Sequence, residues 1–231
     1  IDEITNYYSN YCSNAHRGDY KISLKVDNAY EGVRKKIKNF INAKETSEIV
    51  FTSGTTDSLN RVVFGYFKQT LKKDDEVLLT QSEHASNILP WFILEKELGI
   101  KVKYIELDDK NEVTVENVAS SITPKTKVIS LAYVTNVIGD IRPIRDICSL
   151  AHKNNILVVV DGAQSASHIK MDVQVDDIDF LACSAHKMYG PTGTGFLYGK
   201  FELLDKMQPI SYGGDMNAMF TKDGYLELRE V

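Results

Sequence analysis

From residue 48 to residue 199 the chain repeats one pattern: a short aliphatic run, a polar cluster, then a stretch with helical spacing. The runs are EIVFT, EVLLT, IKVKYIEL, KVISLAYV, ILVVVDGA, DIDFLACSA and GTGFLYG. A strand that is apolar at nearly every residue must be covered on both faces, and helices between successive strands let parallel neighbours form. The pattern predicts an α/β fold, a mostly parallel mixed sheet covered by helices on both faces. TTDSLNRVVFGYFKQTL reads as a helix entered through Ser53, Gly54 and a threonine cap. ASNILPWFILEKELG has a proline in its first turns and Gly99 at its exit, and IRDICSLAHKNN is a third helix. Ahead of these, residues 2–11 and NAYEGVRKKIKNFIN are helical candidates, the second with Val33, Ile37, Phe40 and Ile41 on one face. With 231 residues and 43% hydrophobic content, the chain can bury the core of one such domain.

Charge and cysteine usage narrow the function classes. The 27 basic and 32 acidic residues give a net charge of −5 without a long basic run, so neither nucleic acid nor a membrane surface is an expected partner. No apolar stretch reaches the roughly 18 residues of a membrane span and no signal-peptide pattern opens the chain, which points to the cytoplasm. Cys12, Cys148 and Cys183 form no CxxC pair and no zinc spacing, so they read as packed or idle thiols and no metal is expected. The chain starts at Ile1 rather than methionine and stops in the charged run LELREV, as a piece of something longer does.

In a sheet of this kind ligands bind at the carboxyl ends of the strands, so the residues at each exit are the candidates for chemistry. After IVFT come Ser53, Gly54, Thr55 and Thr56, which suit a phosphate cradle at a helix start, although an ordinary Ser/Thr cap is the better explanation of the tetrapeptide taken alone. After EVLLT comes His84, able to stack on an aromatic ligand or move a proton, or simply to cap a turn. After VISLAYV comes Asn136, whose amide can bond a ring hydroxyl or form a turn. After ILVVV comes Asp161, a carboxylate that needs a cationic or donor partner; a protonated pyridine nitrogen, a magnesium ion or a helix cap would each serve. After DFLACSA comes Lys187, preceded by Ser184 and His186; its amine can attack a carbonyl to form a Schiff base, or remain a solvated loop lysine. Cradle, stacking ring, buried acid and amine together match the needs of pyridoxal phosphate.

The segments HRGDYKIS, FTSGTTDSLN, SEHASNILPW, VTNVIGDIRPI, VDGAQSASH and SAHKMYGPTGTGFLYG follow one another in this order. Taken together they resemble the class V aminotransferase-fold enzymes, in particular the Suf-type cysteine desulfurases and selenocysteine lyases. The resemblance implies pyridoxal 5'-phosphate held covalently on Lys187, Asp161 against its ring nitrogen, His84 over its ring as stacking group and proton carrier, and Gln164 at its phenolic oxygen. It places Asn136 near the ring and the substrate, assigns Thr55, Thr56, Ser184 and His186 to the phosphate, and puts His16 and Arg17 near the site and a dimer interface.

On that resemblance residues 1–231 are expected to form the large, cofactor-binding domain, without the family's N-terminal strand and C-terminal small domain. The small domain carries the family's sulfur-accepting cysteine and the arginine for the substrate carboxylate. The implied activity is L-cysteine desulfuration to L-alanine by a homodimer, with sulfur passed through an enzyme persulfide to an acceptor protein for iron–sulfur cluster or thio-cofactor supply. The 231 residues alone are expected to be inactive in sulfur transfer. A selenocysteine lyase or another enzyme of this fold, and a non-catalytic truncated scaffold, are the alternatives.

Overall fold

The computed structural model describes residues 1–231 except 17, 109, 111, 214–216, 225 and 229–231, and gives the backbone alone at 217, 218, 220 and 226–228. In chain order the elements are α1 (Asp2–Asn6), α2 (Lys21–Phe40), β1 (Ile49–Thr52), α3 (Thr55–Arg61), α4 (Lys68–Thr70), β2 (Glu76–Leu79), α5 (Leu89–Leu98), β3 (Lys101–Tyr104) and α6 (Val115–Ser121). There follow β4 (Thr126–Ala132), α7 (Ile144–Lys153), β5 (Leu157–Asp161), β6 (Phe180–Ser184), β7 (Gly195–Gly199), α8 (Phe201–Leu204), β8 (Asn217–Phe220) and β9 (Leu226–Leu228). Two π-helical segments, Tyr7–Tyr11 and Val62–Phe67, extend α1 and join α3 to α4.

Seven strands form one sheet in the order β1-β7-β6-β5-β4-β2-β3, and β8 and β9 pair separately. The five strands from β6 to β3 run parallel, while β7 is antiparallel to both β6 and β1. Alternation along each strand sends side chains to opposite faces. Ile129, Leu131, Val158, Val160, Leu181 and Cys183 pack with residues of α6 and α7 in one core. Val128, Val159, Phe180, Ala182 and Leu197 pack with α3, the π segment after it and α5 in the other. Both faces of β2, β4, β5, β6 and β7 are covered, as strands buried at nearly every residue require, while the edge strand β3 is largely exposed.

Two local expectations need correction. Helix α2 begins at Lys21, a turn or two before the periodic stretch singled out in the sequence, and its buried residues are Ser23 and Val26. Of the predicted apolar face only Ile41 is fully buried; Val33 and Phe40 are 46% and 54% exposed. Helical spacing identifies a stripe without saying what covers it.

The chain leaves β2 outward to β3 and then returns to place β4 on the other side of β2. This reversal of strand order opens a crevice above the carboxyl ends of β2 and β4, where doubly wound sheets bind ligands.

Candidate active site

At the exit of β1 the chain turns through Ser53 and Gly54 into α3. Gly54 sits at φ +146°, a conformation in which a side chain is strained. Ser184, the last residue of β6, reaches this turn: its Oγ accepts the Thr55 N–H at 2.7 Å and donates to Thr55 Oγ1 at 2.8 Å. The approach depends on Gly195, which pairs with both Thr52 and Ser184. A Cβ on Gly195 would lie 2.3 Å from the Cys183 carbonyl oxygen and 2.6 Å from Gly54 Cα. The exits of β1 and β6 thus converge into one cluster of amide and hydroxyl groups at a helix start, the chemistry of an anion cradle.

His84 follows β2. Its Nδ1 accepts the Ser86 N–H at 3.2 Å, which leaves the proton of the neutral ring on Nε2. Ser86 Oγ lies 3.0 Å from the same nitrogen and 2.8 Å from Thr56 Oγ1, tying the histidine loop to the cradle. Asp161 closes β5. It is 5% exposed, its Oδ1 accepts the Ala163 N–H at 2.9 Å, and burial pushes its carboxyl above the usual range. Among the described residues it has no ion-pair partner within 4.0 Å. Beyond β4, Asn136 Oδ1 accepts from Gln164 Nε2 at 2.5 Å and from Lys187 Nζ at 3.5 Å.

These groups line one cavity of about 230 Å³. Thr55, Thr56, His84, Asn136, Asp161, Gln164, Ser184, His186 and Lys187 all reach it. So do Ser86, Ala132, Val134 and Ala163, which sequence reasoning did not single out. A hydroxyl two residues past His84 was the available signal for Ser86. His16 is not brought to this cavity; its backbone N–H bonds Asp27 at 2.5 Å and its Nε2 lies 3.5 Å from Glu31, both on α2. Arg17 lies outside the described residues. Among the described residues no cluster of His, Cys, Asp and Glu could hold a metal ion, and no helix is long and apolar enough to cross a membrane.

Residues 1–228 match the class V aminotransferase family. The chain belongs to that family. Among its relatives is a probable cysteine desulfurase of Halalkalibacterium halodurans, 44% identical over 216 residues that make up 94% of this chain and 53% of the relative. The cysteine desulfurase CsdA of Escherichia coli, in an S-sulfonic acid form, superposes with a TM-score of 0.91 at 36% identity over 99% of this chain and 57% of its own. An apo cysteine desulfurase of Thermococcus onnurineus gives 0.92 at 36% identity, over 99% and 56% of the two chains. The chain spans about half the length of the curated relatives it matches.

Class V membership implies pyridoxal phosphate, and the residues present fit that group. A buried carboxylate with no ion-pair partner among the described residues suits a protonated ring nitrogen, the Thr55–Ser184 cradle suits a phosphate, and the Lys187 amine opens onto the same cavity.

Proposed function

We propose that residues 1–231 form the pyridoxal-phosphate-binding large domain of a cysteine desulfurase, which converts L-cysteine to L-alanine and passes the sulfur to a thiol. The observation that carries this reading is that the Lys187 amine and the buried Asp161, which has no ion-pair partner among the described residues, open onto one cavity. The relatives' names favour cysteine as the substrate. When bound, pyridoxal phosphate supplies an electron sink that makes the α-proton of an amino acid removable.

The chain's own residues then have separable tasks. Lys187 Nζ would be the attachment point for the cofactor and would move the proton at the substrate α-carbon. Asp161 holds a proton on the ring nitrogen, since a carboxylate in so dry a place is stabilised by a cation against it. His84, which lines the cavity, would cover the ring and offer a proton from Nε2. Gln164 and Asn136, already bonded to one another, address the phenolic oxygen and the substrate side of the ring. Thr55, Thr56, Ser184 and His186 bind the phosphate.

In the sulfur step the cysteine C–S bond breaks, its sulfur joins an enzyme thiolate as a persulfide, and the electron pair left on the β-carbon takes up a proton. Burial raises the thiols of Cys148 and Cys183 above the ordinary cysteine range, which unsuits both as nucleophiles. Cys12 is exposed and does not line the cavity, so we assign the acceptor thiol to a segment outside these 231 residues. The same reading carries a homodimer, an acceptor protein in iron–sulfur cluster or thio-cofactor supply, and a cytoplasmic location.

The test uses the full-length protein that contains these 231 residues, with pyridoxal phosphate and L-cysteine. Alanine is expected in step with sulfide released by a thiol reductant, and borohydride reduction is expected to fix a mass adduct on the peptide holding Lys187. The Lys187→Ala variant should form neither product nor adduct. An adduct without alanine would overturn the desulfurase reading alone; no adduct on Lys187 would overturn the cofactor reading as well.

A further inference from the structure

Beneath the cavity lies a buried ion pair that none of the roles above uses. Arg142 is 2% exposed and Glu83 is 7% exposed, and Arg142 Nη1 donates to Glu83 Oε1. Arg142 Nη2 donates to Thr80 Oγ1 and Ser82 Oγ, each at 2.8 Å. Glu83 is equally engaged: Oε1 accepts from Thr80 Oγ1 at 2.8 Å, and Oε2 accepts from the Ala132 N–H at 2.8 Å and Asn87 Nδ2 at 2.9 Å. Asn87 Oδ1 in turn accepts from Ser130 Oγ at 2.6 Å.

The place of this pair in the fold gives it meaning. Strand β2 ends at Leu79 while β4 runs on to Ala132, so the last amide of β4 on the β2 side has no ladder partner. The Glu83 carboxylate supplies it. Glu83 immediately precedes His84. Arg142 closes the hairpin that carries Asn136, where Val134 bridges Ile141 and the Arg142 N–H donates to the Tyr133 carbonyl at 3.0 Å. One ion pair therefore joins the loop bearing His84 to the hairpin bearing Asn136, across the point where strand order reverses.

We propose that Glu83 and Arg142 are positioning residues, a buried pair that fixes His84 and Asn136 relative to each other and so sets the orientation of the cofactor ring. The proposal rests on the cofactor reading above. A buried pair is weak support for stability, because removing both charges is often harmless to the fold whereas removing one leaves the other uncompensated. That asymmetry separates positioning from simple support. In Glu83→Gln/Arg142→Gln neither partner leaves the other's charge buried and unpaired, and Asp140, 3.9 Å from Arg142 Nε, keeps a side chain 15% exposed to water, so the fold should survive while the fork geometry is lost.

The experiment measures three quantities on the full chain: melting temperature without cofactor, the dissociation constant for pyridoxal phosphate, and the visible circular dichroism of the bound ring, which reports its fixed orientation. Wild type is expected to bind and to show an induced band; if it binds no cofactor, the underlying reading fails first and independently. Arg142→Lys keeps the charge and should bind about tenfold more weakly with a reduced band, the size of one lost charge-assisted hydrogen bond. The double variant should melt within a few degrees of wild type while showing the same weakened binding and band. If the single variant does not fold, the double variant carries the decision. Wild-type affinity and an unchanged band in a folded double variant overturn the proposal, as does a loss of binding that only tracks a loss of melting temperature.

Discussion

At the scale of single residues, Asp161 is the group whose environment says most. Burial is the main reason its carboxyl titrates high; the Ala163 N–H pulls it down and the Glu83 charge pushes it up again. An acid whose pKa is raised by folding stabilises the fold only while it is protonated. That contribution is full below its unfolded value of about 3.9 and is lost as pH rises through the folded value. Cofactor-free Asp161→Asn should therefore melt higher than wild type at pH 7, by about 3 °C or more, and the gap should close towards pH 4. Thermal melts across that range check it. With pyridoxal phosphate and L-cysteine the same substitution should slow alanine formation by about 10²-fold or more, read as kcat, because a charge aimed at the reacting ring is gone. Asp161, His84, Asn136 and Lys187 could each be picked out of the sequence because a polar residue directly after an aliphatic strand stands at a sheet edge. Glu83 and Arg142 could not. They are 59 positions apart, and nothing local distinguishes either from a solvated charge.

At the scale of elements, the turnback from β6 to β7 governs the cradle. Gly195→Ala would drive a methyl into the Cys183 carbonyl and the Gly54 backbone, so β7 must shift. The expected loss is about 1–3 kcal/mol in denaturant unfolding, with weaker pyridoxal phosphate binding in the same variant. Helix α7 is tied down at the amino-terminal ends of β5 and β6, where His152 meets Asp177 and Asp179, each at 2.8 Å, and Asp179 also accepts the Val158 N–H at 2.8 Å. The bond to Asp179 raises the His152 pKa. A raised histidine contributes stability that is full below its unfolded value of about 6.5 and fades as pH climbs through the folded value. The melting-temperature gap between wild type and His152→Gln should accordingly be widest near pH 6 and narrow towards pH 9. The long helices were legible from period and caps, as with Gly99 at φ +74° ending α5. Helix α6 was missed: VENVASS is short, and Thr114, whose side chain caps it by accepting the Asn117 N–H at 3.1 Å, sits in a polar stretch without clear period.

At the scale of the whole molecule, the two cores lie on opposite faces of one sheet and share its strands, so they should unfold together. Trp91, the single tryptophan, is 1% exposed and packs 5.2 Å from Phe67 in the core formed by α3 and α5. Its fluorescence should follow the same denaturant midpoint as far-ultraviolet circular dichroism, which averages over both faces. Separate midpoints would mean that the faces unfold independently. The sequence alone determined the seven strands of the main sheet, the longer helices and the strand exits that carry the chemistry, because strand periodicity, helix caps and polar exits are written within a few neighbouring residues. Only the tertiary structure decided that β1 sits beyond β7, that the exits of β1 and β6 fuse around Gly195, that α2 leaves Val33 and Phe40 exposed, and that Glu83 finds Arg142. Each of these is a contact between segments distant in the chain, and its energy comes from close packing and desolvated hydrogen bonds that no local pattern records.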